Sequence, residues 1–112
     1  SIAGSSDARF KTNITPIANP LQKVLALRGV HFNWNTSVFP QRMFSDKRTL
    51  GFIAQEVEKV LPEIVQTENT TEGYKSVQYD KVVALLVEAM KEQQKQINQL
   101  KRELKKLKRR AH

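Results

Sequence analysis

Ser6 and Lys11 stand five residues apart in the stretch SDARFK, beside a leader of small residues from Ser1 to Ser5. A serine hydroxyl is a poor nucleophile until a neighbouring group removes its proton. A lysine in its neutral form can serve as that base, and burial or nearby cations favour the neutral form. Five extended residues reach at most about 18 Å, so a turn or a neighbouring chain has to bring Lys11 to Ser6. Asp7 is placed to cap such a turn. Arg9 is placed to favour the neutral amine or to bind a developing oxyanion. Taken alone, a serine and a lysine at this spacing are common by chance and do not define a site.

Other chemistries are limited by composition. The 112 residues contain no cysteine, which excludes disulfide frameworks and thiolate chemistry. The two histidines, His31 and His112, are far apart in sequence, so a histidine-based metal site lacks ligands, and no cofactor is expected. No apolar run approaches the roughly 18 to 20 residues that span a bilayer, and the first residues lack signal-peptide character. The expectation is a soluble chain, or a piece of one, with no membrane partner.

The net charge of +8 is unevenly spread. Residues 101–110, KRELKKLKRR, carry seven Lys or Arg and one Glu, whereas the rest carries twelve basic and ten acidic side chains. A basic tail points to nucleic acid or an acidic partner, but cations at a helix C-terminus also suit the macrodipole. Leu104 and Leu107 continue the apolar period through the tail. In a leucine-zipper factor the basic region precedes the zipper and lacks heptad leucines, which counts against nucleic acid.

The elements that must position the Ser/Lys pair read as α+β. After a segment of little periodicity, Asn19-Pro20 signals the start of a short helix running to Leu27, with Gly29 ending it. VHFNWNT alternates as a half-buried strand, with Val30, Phe32 and Trp34 inward and His31 outward. Residues 36–49 read as an irregular loop. LGFIAQ then reads as a short strand, and EVEKVL as a helix closed by Pro62. EIVQTE and YKSVQ read as a hairpin whose turn carries Asn69 and Gly73. Phe52, Ile53, Val57, Val60, Leu61 and Trp34 are the expected core, and Glu56 and Glu58 are expected surface or interface charges.

From Tyr79 the period changes. Val83, Leu86, Met90, Gln93, Ile97, Leu100, Leu104 and Leu107 alternate by three and four, an a/d heptad pattern. A helix over about 80–109 would be roughly 45 Å long. Val82, Leu85, Val87 and Ala89 broaden its first half into a face for packing on the body. So long a stripe exceeds what a small body can cover, so the sequence predicts self-association through a coiled coil. Gln93 at a d position costs stability and can fix register. The a/d residue types leave dimer and trimer open.

Three ordered blocks, SDARFK, GFIAQEVEKVLPEIV and YKSVQYDKVVALLVEAMKEQQKQI, together resemble the peptidase S74 family. This is the C-terminal intramolecular chaperone domain of phage endosialidases, tailspikes and neck appendages, with a related domain in myelin regulatory factor. The resemblance runs from about Ser6 to Ile97. It implies a small body of short helices and strands followed by a long helix forming a trimeric coiled coil. It also implies a homotrimer that aligns an upstream β-helical stalk of the same polypeptide and is then released by self-cleavage. Ser6 matches the family's nucleophile and Lys11 its dyad partner, with Asp7 and Arg9 also matching. Residues 1–5 would be a leader from the upstream stalk or from expression, 6–78 the chaperone and autoprotease body, and 79–112 the coiled-coil helix with its basic tail. Action would take place in the bacterial host cytoplasm during phage assembly, and the released domain would be absent from the virion. Attack by Ser6 on the Ser5 carbonyl would cut the Ser5–Ser6 bond. The family's cut is usually placed just after the serine, which requires activated water or attack between subunits. A trimerisation module with an inert Ser/Lys pair is the alternative.

Overall fold

The computed structural model describes residues 4–111 of the chain; Ser1–Ala3 of the expected leader and His112 lie outside the described residues. The molecule is elongated, with principal extents of 70 × 40 × 26 Å. Its length comes from one helix.

A 3-10 turn at Ala8–Phe10 is followed by extended chain and then by helix α1, Pro20–Ala26. Strand β1, Val30–Phe32, pairs antiparallel with β2, Thr49–Gly51, in the register Val30 to Gly51 and Phe32 to Thr49. Helix α2, Ala54–Val60, leads through a 3-10 turn at Pro62–Ile64 into β3, Val65–Thr67, which pairs antiparallel with β4, Lys75–Val77. The chain ends in α3, Tyr79–Arg110, of 32 residues. The architecture is α+β: short helices, two small antiparallel sheets and one long helix.

Local chemistry accounts for these boundaries. Proline occupies the start of α1, where its missing N–H costs nothing. Asn19 precedes it in a left-handed conformation without a side-chain cap. The Glu92 carboxylate of α3 instead accepts from the Leu21 N–H at 3.5 Å, a long contact joining the two helices. α2 stops where Pro62 enters, and the Leu61 N–H donates back to the Val57 carbonyl at 2.7 Å. Gly73, with φ +61°, supplies the left-handed residue that the β3–β4 turn needs, and its N–H donates to Thr70 Oγ1 at 3.2 Å. Asp80 lies in the first turn of α3 and Lys108, Arg109 and Arg110 in its last, the charge order the helix dipole favours.

The core lies where α2 and the following turn meet α3. Val57, Leu61, Ile64, Val82 and Leu85 are buried together, with Val24 and Leu27 of the α1 region and Val65 and Val77 of the hairpin packed around them. Ala89 is buried one turn further along α3. Val82, Leu85 and Ala89 of the expected packing face are therefore covered by the body, while Val87 of the same set remains half exposed.

Three local expectations are refined. β1 stops at Phe32 because the chain turns: the Thr36 N–H donates to the Trp34 carbonyl at 3.0 Å, and Arg48 donates to Asn33 Oδ1 at 2.7 Å. Trp34 retains 40% exposure and stacks on Phe44 at 4.5 Å between ring centroids. β2 ends at Gly51, leaving Phe52 and Ile53 as the link to α2, which starts earlier than the sequence pattern suggested.

Candidate functional site

Asp7 sits in extended conformation at the mouth of the Ala8–Phe10 turn, and its carboxylate accepts from the Arg9 backbone N–H at 2.9 Å. This is an N-cap in miniature. The same carboxylate accepts from Arg9 Nε at 3.0 Å and from an Arg9 terminal nitrogen at 2.8 Å, a planar two-point pair. Arg9 holds the Asp7 carboxyl below the ordinary carboxylate range, through its side chain first and its backbone N–H second. Arg9 is raised in turn by the same side-chain bond. Two backbone bonds, Phe10 N–H to the Asp7 carbonyl at 3.0 Å and Lys11 N–H to the Ala8 carbonyl at 3.1 Å, complete the turn.

The turn reverses the chain so that Lys11 folds back over it. Lys11 Nζ donates to Ser6 Oγ at 2.7 Å. The pair meets within one chain, by a turn, so no neighbouring chain is needed for contact. With the proton on the hydroxyl and a neutral amine, the same contact is the geometry of a base beside its nucleophile. Ser6, Asp7, Arg9 and Lys11 are all solvent-exposed, and so is Phe10 at 76%. Arg9 is engaged by Asp7 in this arrangement, which makes it a brace of the turn.

The remaining residues singled out by the sequence form a second feature. Val83, Leu86, Met90, Ile97, Leu100, Leu104 and Leu107 are exposed by between 39% and 70%, and Gln93 among them is exposed too. They run along α3 away from the body. Exposed apolar side chains scattered singly are ordinary, but these seven follow heptad spacing in one stripe, interrupted at Gln93.

The sequence pattern held no sign of the ties within the body or of the one that joins it to the start of α3. Tyr79, the first residue of α3, accepts from the Phe52 backbone N–H at 2.9 Å through its phenol oxygen, and its ring stacks on Phe52 at 5.7 Å. Arg28 makes a two-point pair with Glu56 at 3.1 and 2.7 Å, which lowers the Glu56 pKa and raises that of Arg28. Lys75 binds Glu58 at 3.1 Å. Such ties join residues that are remote in sequence and carry no periodic signal. Among the described residues, no group of three or more His, Asp or Glu is gathered as metal ligands, and no helix is long and apolar enough to cross a membrane.

A family model described as the chaperone of endosialidase, peptidase S74, matches residues 6–66. The chain belongs to the peptidase S74 family. The matched region opens on Ser6, includes the whole turn to Lys11 and ends within β3, so α3 lies beyond it. Relatives extend the likeness into α3. The long tail fiber protein Gp37 of Salmonella phage S16 is 34% identical over 105 residues, covering 93% of this chain and 14% of that protein. Gp37 of Enterobacteria phage K3 is 34% identical over 101 residues, 88% of this chain and 8% of that protein. Gp37 of Enterobacteria phage M1 is 34% identical over 98 residues, 86% of this chain and 38% of that protein. The chain thus spans well under half the length of these relatives.

Proposed function

We propose that this chain is the C-terminal intramolecular chaperone of a phage fibre or tailspike: it trimerises through α3, aligns the upstream chains for folding, and releases itself by cleavage at Ser6. The observation that carries the catalytic half is the 2.7 Å contact between Lys11 Nζ and Ser6 Oγ. The long tail fibre relatives and the family assignment support the chaperone half.

In the proposed step the neutral Lys11 amine takes the proton of Ser6 Oγ as the oxygen attacks a peptide carbonyl. If the Ser5 carbonyl is attacked, an ester on Ser6 Oγ forms as the Ser6 nitrogen leaves and takes up a proton. Water then hydrolyses the ester, leaving a Ser5 carboxylate and a free Ser6 amine. Asp7 and Arg9 touch neither reacting atom and act as positioning residues through the turn. The assembly half rests on effective concentration: a helical bundle holds three upstream strands together, which converts their pairing into a local event. Removing the bundle leaves a fibre whose persistence is governed by its unfolding barrier.

The test is a fusion of this chain to its natural upstream stalk. Wild type should yield two fragments, while Ser6→Ala and Lys11→Met should remain one intact chain that still sediments as a trimer. Fragment masses assign the scissile bond. A Ser6→Ala chain cut like wild type would remove the catalytic reading, leaving the trimerisation module. Ile97→Asp with Leu100→Asp should give a monomer that cuts slowly; a monomer cutting at the normal rate would separate cleavage from assembly.

A further inference from the structure

We infer that the downstream half of α3 sets the orientation and register of the assembly through one ion pair repeated between neighbours, Glu103 of one chain with Lys108 of the next. The inference rests on the reading that copies of this chain associate through α3.

With Val83 at position a, the g positions are Val82, Ala89, Gln96, Glu103 and Arg110, and the e positions Val87, Gln94, Lys101 and Lys108. In a parallel bundle each g side chain lies beside the neighbour's e side chain five residues further on. The first two g residues are unavailable, because Val82 and Ala89 are buried under the chain's own body at 7% and 4% exposure. Flank contacts between helices are therefore confined to the region beyond the body. There the parallel register sets Gln96 beside Lys101 and Glu103 beside Lys108.

Glu103 is the single acidic residue of 101–110. It is exposed, and among the described residues it makes no ion pair within its own chain. An antiparallel bundle covering the same stripe pairs g with g, and would set Glu103 beside Ala89 or Gln96, neither of which carries charge. Only the parallel, in-register arrangement gives Glu103 a cation. It also gathers the basic tails at one end, where that pair opposes their mutual repulsion.

The full chain, measured by sedimentation equilibrium at low salt, tests this directly. Glu103→Lys and Lys108→Glu should each weaken association, on the order of tenfold for pairs repeated around a trimer. The exchanged double variant, Glu103→Lys with Lys108→Glu, should restore it. All differences should shrink at about 1 M salt, where screening acts within about 3 Å. Lys108→Glu is the decisive arm. It lowers the charge of the tail, so simple repulsion between tails would make association tighter, whereas the pair makes it weaker. Ala111→Cys, in a chain that otherwise lacks cysteine, should form an inter-chain disulfide readily if helices are parallel and in register. Tighter association of Lys108→Glu, no rescue in the double variant, or no disulfide overturns the pair while leaving self-association standing. A wild-type monomer overturns both.

Discussion

Replacing Gly51 with alanine probes how the β1–β2 sheet is tied to α3. A Cβ at Gly51 would stand 2.7 Å from the Tyr79 phenol oxygen, 3.3 Å from Phe32 Cε1 and 3.5 Å from Tyr79 Cζ. The first distance is too short, so Tyr79 must move. Tyr79 is half exposed and can swing outward, but it then loses the hydrogen bond from Phe52 N–H, a contact typically worth about 1 kcal/mol. It also gives up the stack on Phe52, worth about 0.5–1.5 kcal/mol. Against this, alanine restricts the unfolded chain and returns about 0.4–1 kcal/mol, since Gly51 is not in the left-handed region. The clash wins, with a net cost of about 0.5–2 kcal/mol and a fall in Tm of roughly 2–10 °C. The assay is thermal melting by circular dichroism at one fixed protein concentration, because association shifts Tm. Tyr79→Phe removes the clashing oxygen. In that background Gly51→Ala should cost at least about 1 kcal/mol less, a coupling a double-mutant cycle reads directly. Equal costs in both backgrounds would refute the reasoning and place the strain elsewhere.

Two further outcomes concern the charged pairs. Asp7→Ala removes the cap and the brace of the first turn, so self-cleavage of the stalk fusion should slow several-fold while Tm stays unchanged, because the turn is exposed and outside the core; an unaltered rate would show that the turn forms without Asp7. The Glu56 pKa is lowered in the folded state by Arg28, so the pair stabilises above the ordinary glutamate range and its contribution fades as pH falls through the folded value. The Tm difference between wild type and Arg28→Met should therefore be present at pH 7 and shrink as the pH falls below the ordinary glutamate range.

Much of this fold was legible because its strongest signals are periodic or local. The three-four alternation from Val83 to Leu107 gave α3 almost to its ends, since a long helix exposes one repeat many times over. The β3–β4 hairpin was readable from Gly73 and its flanking alternation, and α1 from Asn19-Pro20. The β1–β2 pairing was not readable, because its two three-residue strands are separated by an irregular loop and neither specifies a partner. The tie of Tyr79 to Phe52 was equally silent: a tyrosine opening a helix has no spacing that reveals its hydrogen bond. At the candidate site, the sequence left two ways of bringing Lys11 to Ser6. The structure adopts the turn. Arg9 illustrates the limit of reading residue types, since a cation beside a nucleophile suggested an oxyanion partner, yet its nearest carboxylate, Asp7, claims it first.

Every side-chain hydrogen bond described for Ser6 to Lys11 runs within that six-residue segment. During synthesis from the N-terminus these residues leave the ribosome well before the last turn of α3 exists. None of these contacts therefore needs a partner helix in order to form. A Ser6–Lys11 contact that can form without one carries no record of whether the other copies have arrived. In the proposed scheme the timing of release must come from what later surrounds the segment, and residues far along the chain, in place of the dyad itself, act as the clock.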